Sequence, residues 1–146
     1  MTINHFRVAA GTLIVYNILG TVLTWAAHLQ KPGVGAANAI TGGTQFTGPL
    51  VLVVLAAAAL ALTFSPRRRV AGTGVFLVSL FGAGFAIGEI SELFQHHVGI
   101  SAGRWDVVLA GSVIGAAIGI TCAVLGAALV VAQRRVSRRV GSAPAA

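Results

Sequence analysis

The sequence predicts an all-α fold, a four-helix transmembrane bundle with both termini cytoplasmic. Four long apolar stretches account for most of the chain, as expected of helices that must cross a bilayer core of about 30 Å. Only 9% of the 146 residues are charged and 56% are hydrophobic, whereas an average soluble domain carries roughly 25% charged residues. The basic residues also divide unevenly between the two sides that such a bundle would create.

The first span covers residues 8–27, after a polar start with Arg7 and before His28, Gln30, Lys31 and Pro32. A basic residue ahead of an apolar run also describes a signal peptide. This run outlasts an h-region of about 7–15 residues and lacks a convincing A-x-A cleavage pattern, so it reads as a retained span. Residues 28–48 are rich in Gly, Ala, Thr and Asn and read as a loop. The second span, 49–64, is almost pure Leu, Val and Ala without an ionisable group, which suits the most lipid-exposed helix or a plain packing partner. Ser65, Pro66, Arg67, Arg68 and Arg69 make a basic turn before the third span, 70–94. The fourth span, 107–132, leads into a basic tail, 133–146, whose small-residue end reads as disordered. With nothing left for a soluble appendage, 1–146 reads as a single integral membrane domain.

Orientation follows from the basic residues. With both termini inside, Arg7, Arg67, Arg68, Arg69, Arg134, Arg135, Arg138 and Arg139 face the cytoplasm, and only Lys31 and Arg104 lie outside. This explains the net charge of +7 as a topology signal. No basic face with interleaved aromatics exists, so nucleic acid is excluded as a partner. The partners implied are the lipid bilayer and, within it, another membrane protein or a second copy of the chain. Cys122 is the only cysteine, which rules out an internal disulfide and a cysteine-based metal framework.

Small residues mark the packing faces. Gly111, Gly115 and Gly119 recur every four residues on the fourth span, and Gly84 and Gly88 repeat that spacing on the third, near Gly74 and Ala86. Such faces let helices approach closely, since van der Waals contact drives association in lipid. Close packing of the third span on the fourth is the economical inference, with homodimerisation through the fourth span as its rival.

The three acidic residues, Glu89, Glu92 and Asp106, lie together between the third and fourth spans. Glu89, Glu92 and His96 stand at i, i+3 and i+7, so two carboxylates and an imidazole share one helix face. Gln95, His97, Arg104 and Asp106 follow, and His28 sits at the same boundary. Glu89 lies about 10 Å deeper than His96, where an ionised carboxylate costs a few kcal/mol. It must therefore be paired, protonated or wet, with Arg104 as the obvious partner. The spacing matches neither the zinc-peptidase helix nor the di-iron bundle motif, so no metal and no cofactor is assigned. A divalent ion at the carboxylates, or haem between His28 and His96 or His97, is the alternative use of these ligands.

The segments Glu92-Leu93-Phe94-Gln95, Gly103-Arg104, Asp106 and Gly115-Ala116-Ala117-Ile118-Gly119 resemble the signature end of the VanZ-like family of small bacterial membrane proteins. The resemblance covers about a fifth of the chain. The family's usual asparagine before those glycines is Ser112 here, and the arginine-to-glycine spacing is shorter. The resemblance implies a multi-pass envelope protein, named from glycopeptide resistance, with Glu92, Gln95, Arg104 and Asp106 as its functional set.

The expected function is thus that of a multi-pass bacterial plasma-membrane protein, a cell-envelope accessory protein with an outward polar site at Glu89, Glu92, Gln95, His96, Arg104 and Asp106. A metal- or haem-binding membrane protein and a membrane enzyme acting on a lipid-linked substrate are the alternatives. No residue pattern assigns a reaction.

Overall fold

The computed structural model describes residues 2–26, 48–94 and 105–141. Among them the regular elements are four α-helices: α1 (Ile3–Ala26), α2 (Leu50–Leu62), α3 (Arg68–Phe94) and α4 (Trp105–Gly141). Three hold apolar windows long enough to cross a membrane, Ile3–Thr24, Arg68–Ser91 and Leu109–Gln133. α1 starts before its apolar run, and α4 continues through the basic segment as far as Gly141. A helix need not end where apolarity ends, because its hydrogen bonds are internal and Gln, Arg and Ala are good helix formers.

The second span is shorter than expected. α2 has 13 residues, about 20 Å of helix against a core of about 30 Å. It opens at Pro49, which cannot donate a backbone hydrogen bond, and closes at Thr63, where the ladder tightens to i→i−3 bonds from Thr63, Phe64 and Ser65. Only Val53, Ala56 and Ala59 are buried, one stripe at every third residue. Leu50 and Leu60 are half-buried, Leu60 against the core, and the rest of the helix is exposed, as its uniform composition suggested.

α3 and α4 form the largest helix–helix interface, while α1 packs on α4 and α2. The buried run of α3 towards α4 is Ala71, Val75, Val78, Gly82, Phe85 with Ala86, and Glu89, with Gly74 buried against α2; on α4 it is Ser112, Gly115 with Ala116, Gly119, Cys122 and Gly126. Both runs advance by alternating steps of three and four, the 3.5-residue period that keeps one seam facing its partner. The helices run antiparallel, with Gly82 at Gly119, Ser79 at Gly126 and Gly72 at Gln133.

The period corrects the expected packing residues. Gly84 and Gly88 are exposed, and a Cβ on either would meet nothing within 4 Å. At about 100° per residue they lie about 200° and 240° around the helix from Gly82, so they face away from the seam. Gly82 and Ala86 take their place: a Cβ on Gly119 would sit 2.7 Å from the Gly82 carbonyl oxygen and 3.1 Å from Ala86 Cβ. Gly74 serves the other neighbour, with its missing Cβ 2.6 Å from the Ala59 carbonyl oxygen of α2.

The basic end is assembled by direct contacts. Arg7 donates from Nη2 to the Thr63 carbonyl oxygen (2.5 Å) and from Nε to Thr63 Oγ1 (3.3 Å), and its guanidinium lies 4.1 Å from the Phe64 ring centroid. It thereby satisfies a carbonyl that the end of α2 leaves without a helical partner. The start of α1, the α2–α3 turn and the far part of α4 thus share one end of the bundle. A core of Phe6, Ala10, Leu13, Val75, Val78, Phe85 and Cys122 separates this end from the acidic one.

Candidate functional site

Glu89 is the last buried position of the α3 seam and is only 4% exposed. It stands seven residues, two turns, beyond Gly82, which returns it to the face packed on α4. Opposite it is Gly115, where a Cβ would lie 3.2 Å from the Glu89 carboxyl carbon and 3.0 Å from the Tyr16 hydroxyl oxygen. A carboxyl group from α3 and a phenol from α1 therefore converge on one glycine of α4. Even a methyl group there would be tighter than ordinary contact, so glycine leaves them the space they occupy.

Tyr16 is held from two sides. Its hydroxyl donates to the Gly111 carbonyl oxygen at 2.6 Å, and its ring meets Phe85 edge to face with centroids 5.9 Å apart, Phe85 in turn stacking on Phe81. Gly111 thus belongs to the α1 contact and not to the α3 seam. Four residues advance a helix by about 400°, so successive glycines in a spacing of four drift by about 40°. Ser112, at 1% exposure, lies one turn before Gly115, and its Oγ has no hydrogen-bond partner among the described residues.

Beside Tyr16, the Asn17 side chain donates from Nδ2 to the Leu13 carbonyl oxygen (2.9 Å) and accepts the Gly48 N–H at Oδ1 (3.2 Å). Asn17 lies ten residues beyond Arg7, about 15 Å along α1, so α2 begins well inside the apolar zone at that depth. Thr21 and Thr24 continue the buried polar stripe of α1, each bonding the carbonyl four residues back. In lipid such polar groups belong where protein covers them.

The expected site residues are distributed as follows. Glu92 lies on the last turns of α3 and Asp106 on the first turn of α4, so their backbones sit at the same end of the bundle as Glu89. Gln95, His96, His97, Arg104 and His28 fall outside the described residues, and with them the expected Glu89–Arg104 pairing. Among the described residues no three His, Cys, Asp or Glu side chains come together as a metal site would require. Tyr16, Asn17 and the cover over Gly115 were not anticipated, although Asn17, Thr21 and Thr24 at i, i+4 and i+7 mark a polar face on α1.

Chemically, the cluster offers one carboxyl and two hydroxyls in an apolar surround, groups able to exchange protons or hydrogen-bond a polar headgroup. Glu89 lies two residues inside the end of the window Arg68–Ser91, about 3 Å along the axis. No protein-family model, no curated protein and no solved structure matches this chain.

Proposed function

We propose that this chain is a four-crossing protein of a bacterial plasma membrane with both termini cytoplasmic, acting as a cell-envelope accessory protein through a polar site at its outward end. The observation that carries the reading is the burial of Glu89 against Gly115 and Tyr16. A carboxyl group kept within an apolar helix seam is costly, and such residues mark working sites in membrane proteins.

Topology supports the orientation. α1 and α3 run in the same sense and α4 in the opposite one, which supports a return of the chain between Ala26 and Arg68 with α2 as part of a fourth crossing. Arg7 and Arg67 to Arg69 then share a side with the end of α4, and the acidic residues share the other. The VanZ-like resemblance supports the envelope role, since Glu92 and Asp106 of its implied set lie on helix ends at the same end as Glu89.

The test is complementation of a strain lacking the protein under challenge by glycopeptides and other cell-wall-directed agents. Glu89→Gln and Glu92→Gln should fail to restore the parental phenotype while membrane levels and thermal stability stay close to those of the parent. Full complementation by both variants would make the carboxylates structural ties and overturn the site.

A further inference from the structure

The geometry points to a second interaction surface at the opposite end of the bundle, a cluster of arginine positions that binds the headgroups of anionic phospholipids. The inference rests on the membrane-embedded reading but not on the Glu89 site. Eight of the ten Lys and Arg residues gather at this end, and all three acidic residues lie at the other. Arg7 is engaged with Thr63 and Phe64, whereas Arg67, Arg68 and Arg69 are exposed on the α2–α3 turn. The Gly72–Gln133 approach brings the end of the α4 window beside that turn.

α4 carries the remaining four arginines. It continues as helix from Gln133 to Gly141, so residues 134–139 sit at heights of about 2 to 9 Å beyond Gln133. That range matches the headgroup layer of one leaflet, about 5 to 8 Å deep. By helical register, positions 134, 138, 135 and 139 fall within one arc of about 140°.

Arginines on a helix that leaves the bilayer at headgroup height lie at the level of the lipid phosphates. A soluble polyanion is not held at that height, whereas the phosphates of the inner leaflet are. Setting orientation needs an excess of positive charge but no such arrangement around the helix. The ligand class is therefore an anionic glycerophospholipid of the inner leaflet.

The experiment uses the full chain purified and reconstituted in phosphatidylcholine bilayers doped with spin-labelled phosphatidylglycerol or spin-labelled phosphatidylcholine. The fraction of motionally restricted label measures lipid held at the protein surface. The parent should prefer phosphatidylglycerol by about fivefold, the factor for one well-placed basic residue near a charged surface. The preference should fall toward unity when salt is raised from about 0.1 M to about 1 M, which shortens the Debye length from about 10 Å to about 3 Å.

The variant R134Q/R135Q/R138Q/R139Q should lose most of the preference while retaining as much restricted phosphatidylcholine as the parent. Equal restriction of both labels by the parent would overturn the inference. So would a preference that survives both high salt and the quadruple variant, or displacement of the labelled anionic lipid by an added oligonucleotide. Failure of the parent to incorporate into pure phosphatidylcholine would instead refute the membrane-embedded reading itself.

Discussion

Replacing Gly119 with alanine adds one methyl group where α3 and α4 lie closest. That methyl would be placed 2.7 Å from the Gly82 carbonyl oxygen and 3.1 Å from both the nitrogen and Cβ of Ala86, well inside ordinary contact. Two of these atoms are backbone, so relief requires the helices to separate, and overpacking of this kind costs about 1–3 kcal/mol. Alanine also gains about 1 kcal/mol of helix propensity over glycine, which partly hides the cost. Gly84→Ala removes that ambiguity: the same atom is added in a helix interior and the same propensity gained, but the new methyl meets nothing within 4 Å. The difference between the two variants isolates the seam, at about 1–3 kcal/mol. Thermal unfolding in detergent, followed by size-exclusion chromatography of a fluorescent fusion, should place Gly119→Ala about 2–12 °C below Gly84→Ala. Equal midpoints, or a lower one for Gly84→Ala, would refute the seam as drawn.

Other substitutions read different contacts by the same assay. Gly115→Leu should disrupt the fold, because its side chain would displace both Tyr16 and Glu89, whereas Leu55→Phe should be mild at a position 60% exposed. Tyr16→Phe keeps the ring on Phe85 but loses the bond to Gly111, a loss of about 0.6–1.7 kcal/mol for an interhelical hydrogen bond in a membrane protein. Asn17→Ala should cost a similar amount by leaving the Gly48 N–H without its acceptor. Asn17→Asp should be worse than Asn17→Ala, since it keeps the acceptor but places a charge deep in the apolar zone. Arg7→Lys should recover only part of the loss seen in Arg7→Ala, about 2 kcal/mol, because an ammonium cannot reproduce the forked contacts to Thr63.

The helices and the pairing of α3 with α4 were legible in the sequence, because length, apolarity and small residues act through local chemistry. Their register was not. Glycines four apart look like one face, yet a seam repeats every 3.5 residues, and that difference removes Gly84 and Gly88 while admitting Gly82, Ala86, Ser112 and Cys122. The length of α2 was hidden too, since Thr63 and Phe64 continue its apolar run although the hydrogen-bond ladder tightens there. Within the site, Glu89 stood out as a carboxylate inside an apolar span. Tyr16 did not, because an aromatic in the middle of α1 gives no hint of which helix it meets. Only the three-dimensional approach of α1 to α4 reveals that phenol and carboxyl share Gly115.

Chemical labelling of single cysteines tests most directly whether the Glu89 end faces outward. Phe94→Cys places a thiol on an exposed residue at the last turn of α3, and Ser65→Cys places one on the turn at the arginine end. Cys122 is buried in the seam and does not compete. In intact cells a membrane-impermeant maleimide should label Phe94→Cys, and Ser65→Cys only after permeabilisation. Labelling of Ser65→Cys in intact cells, with Phe94→Cys protected, would place the carboxylates in the cytoplasm and contradict the account.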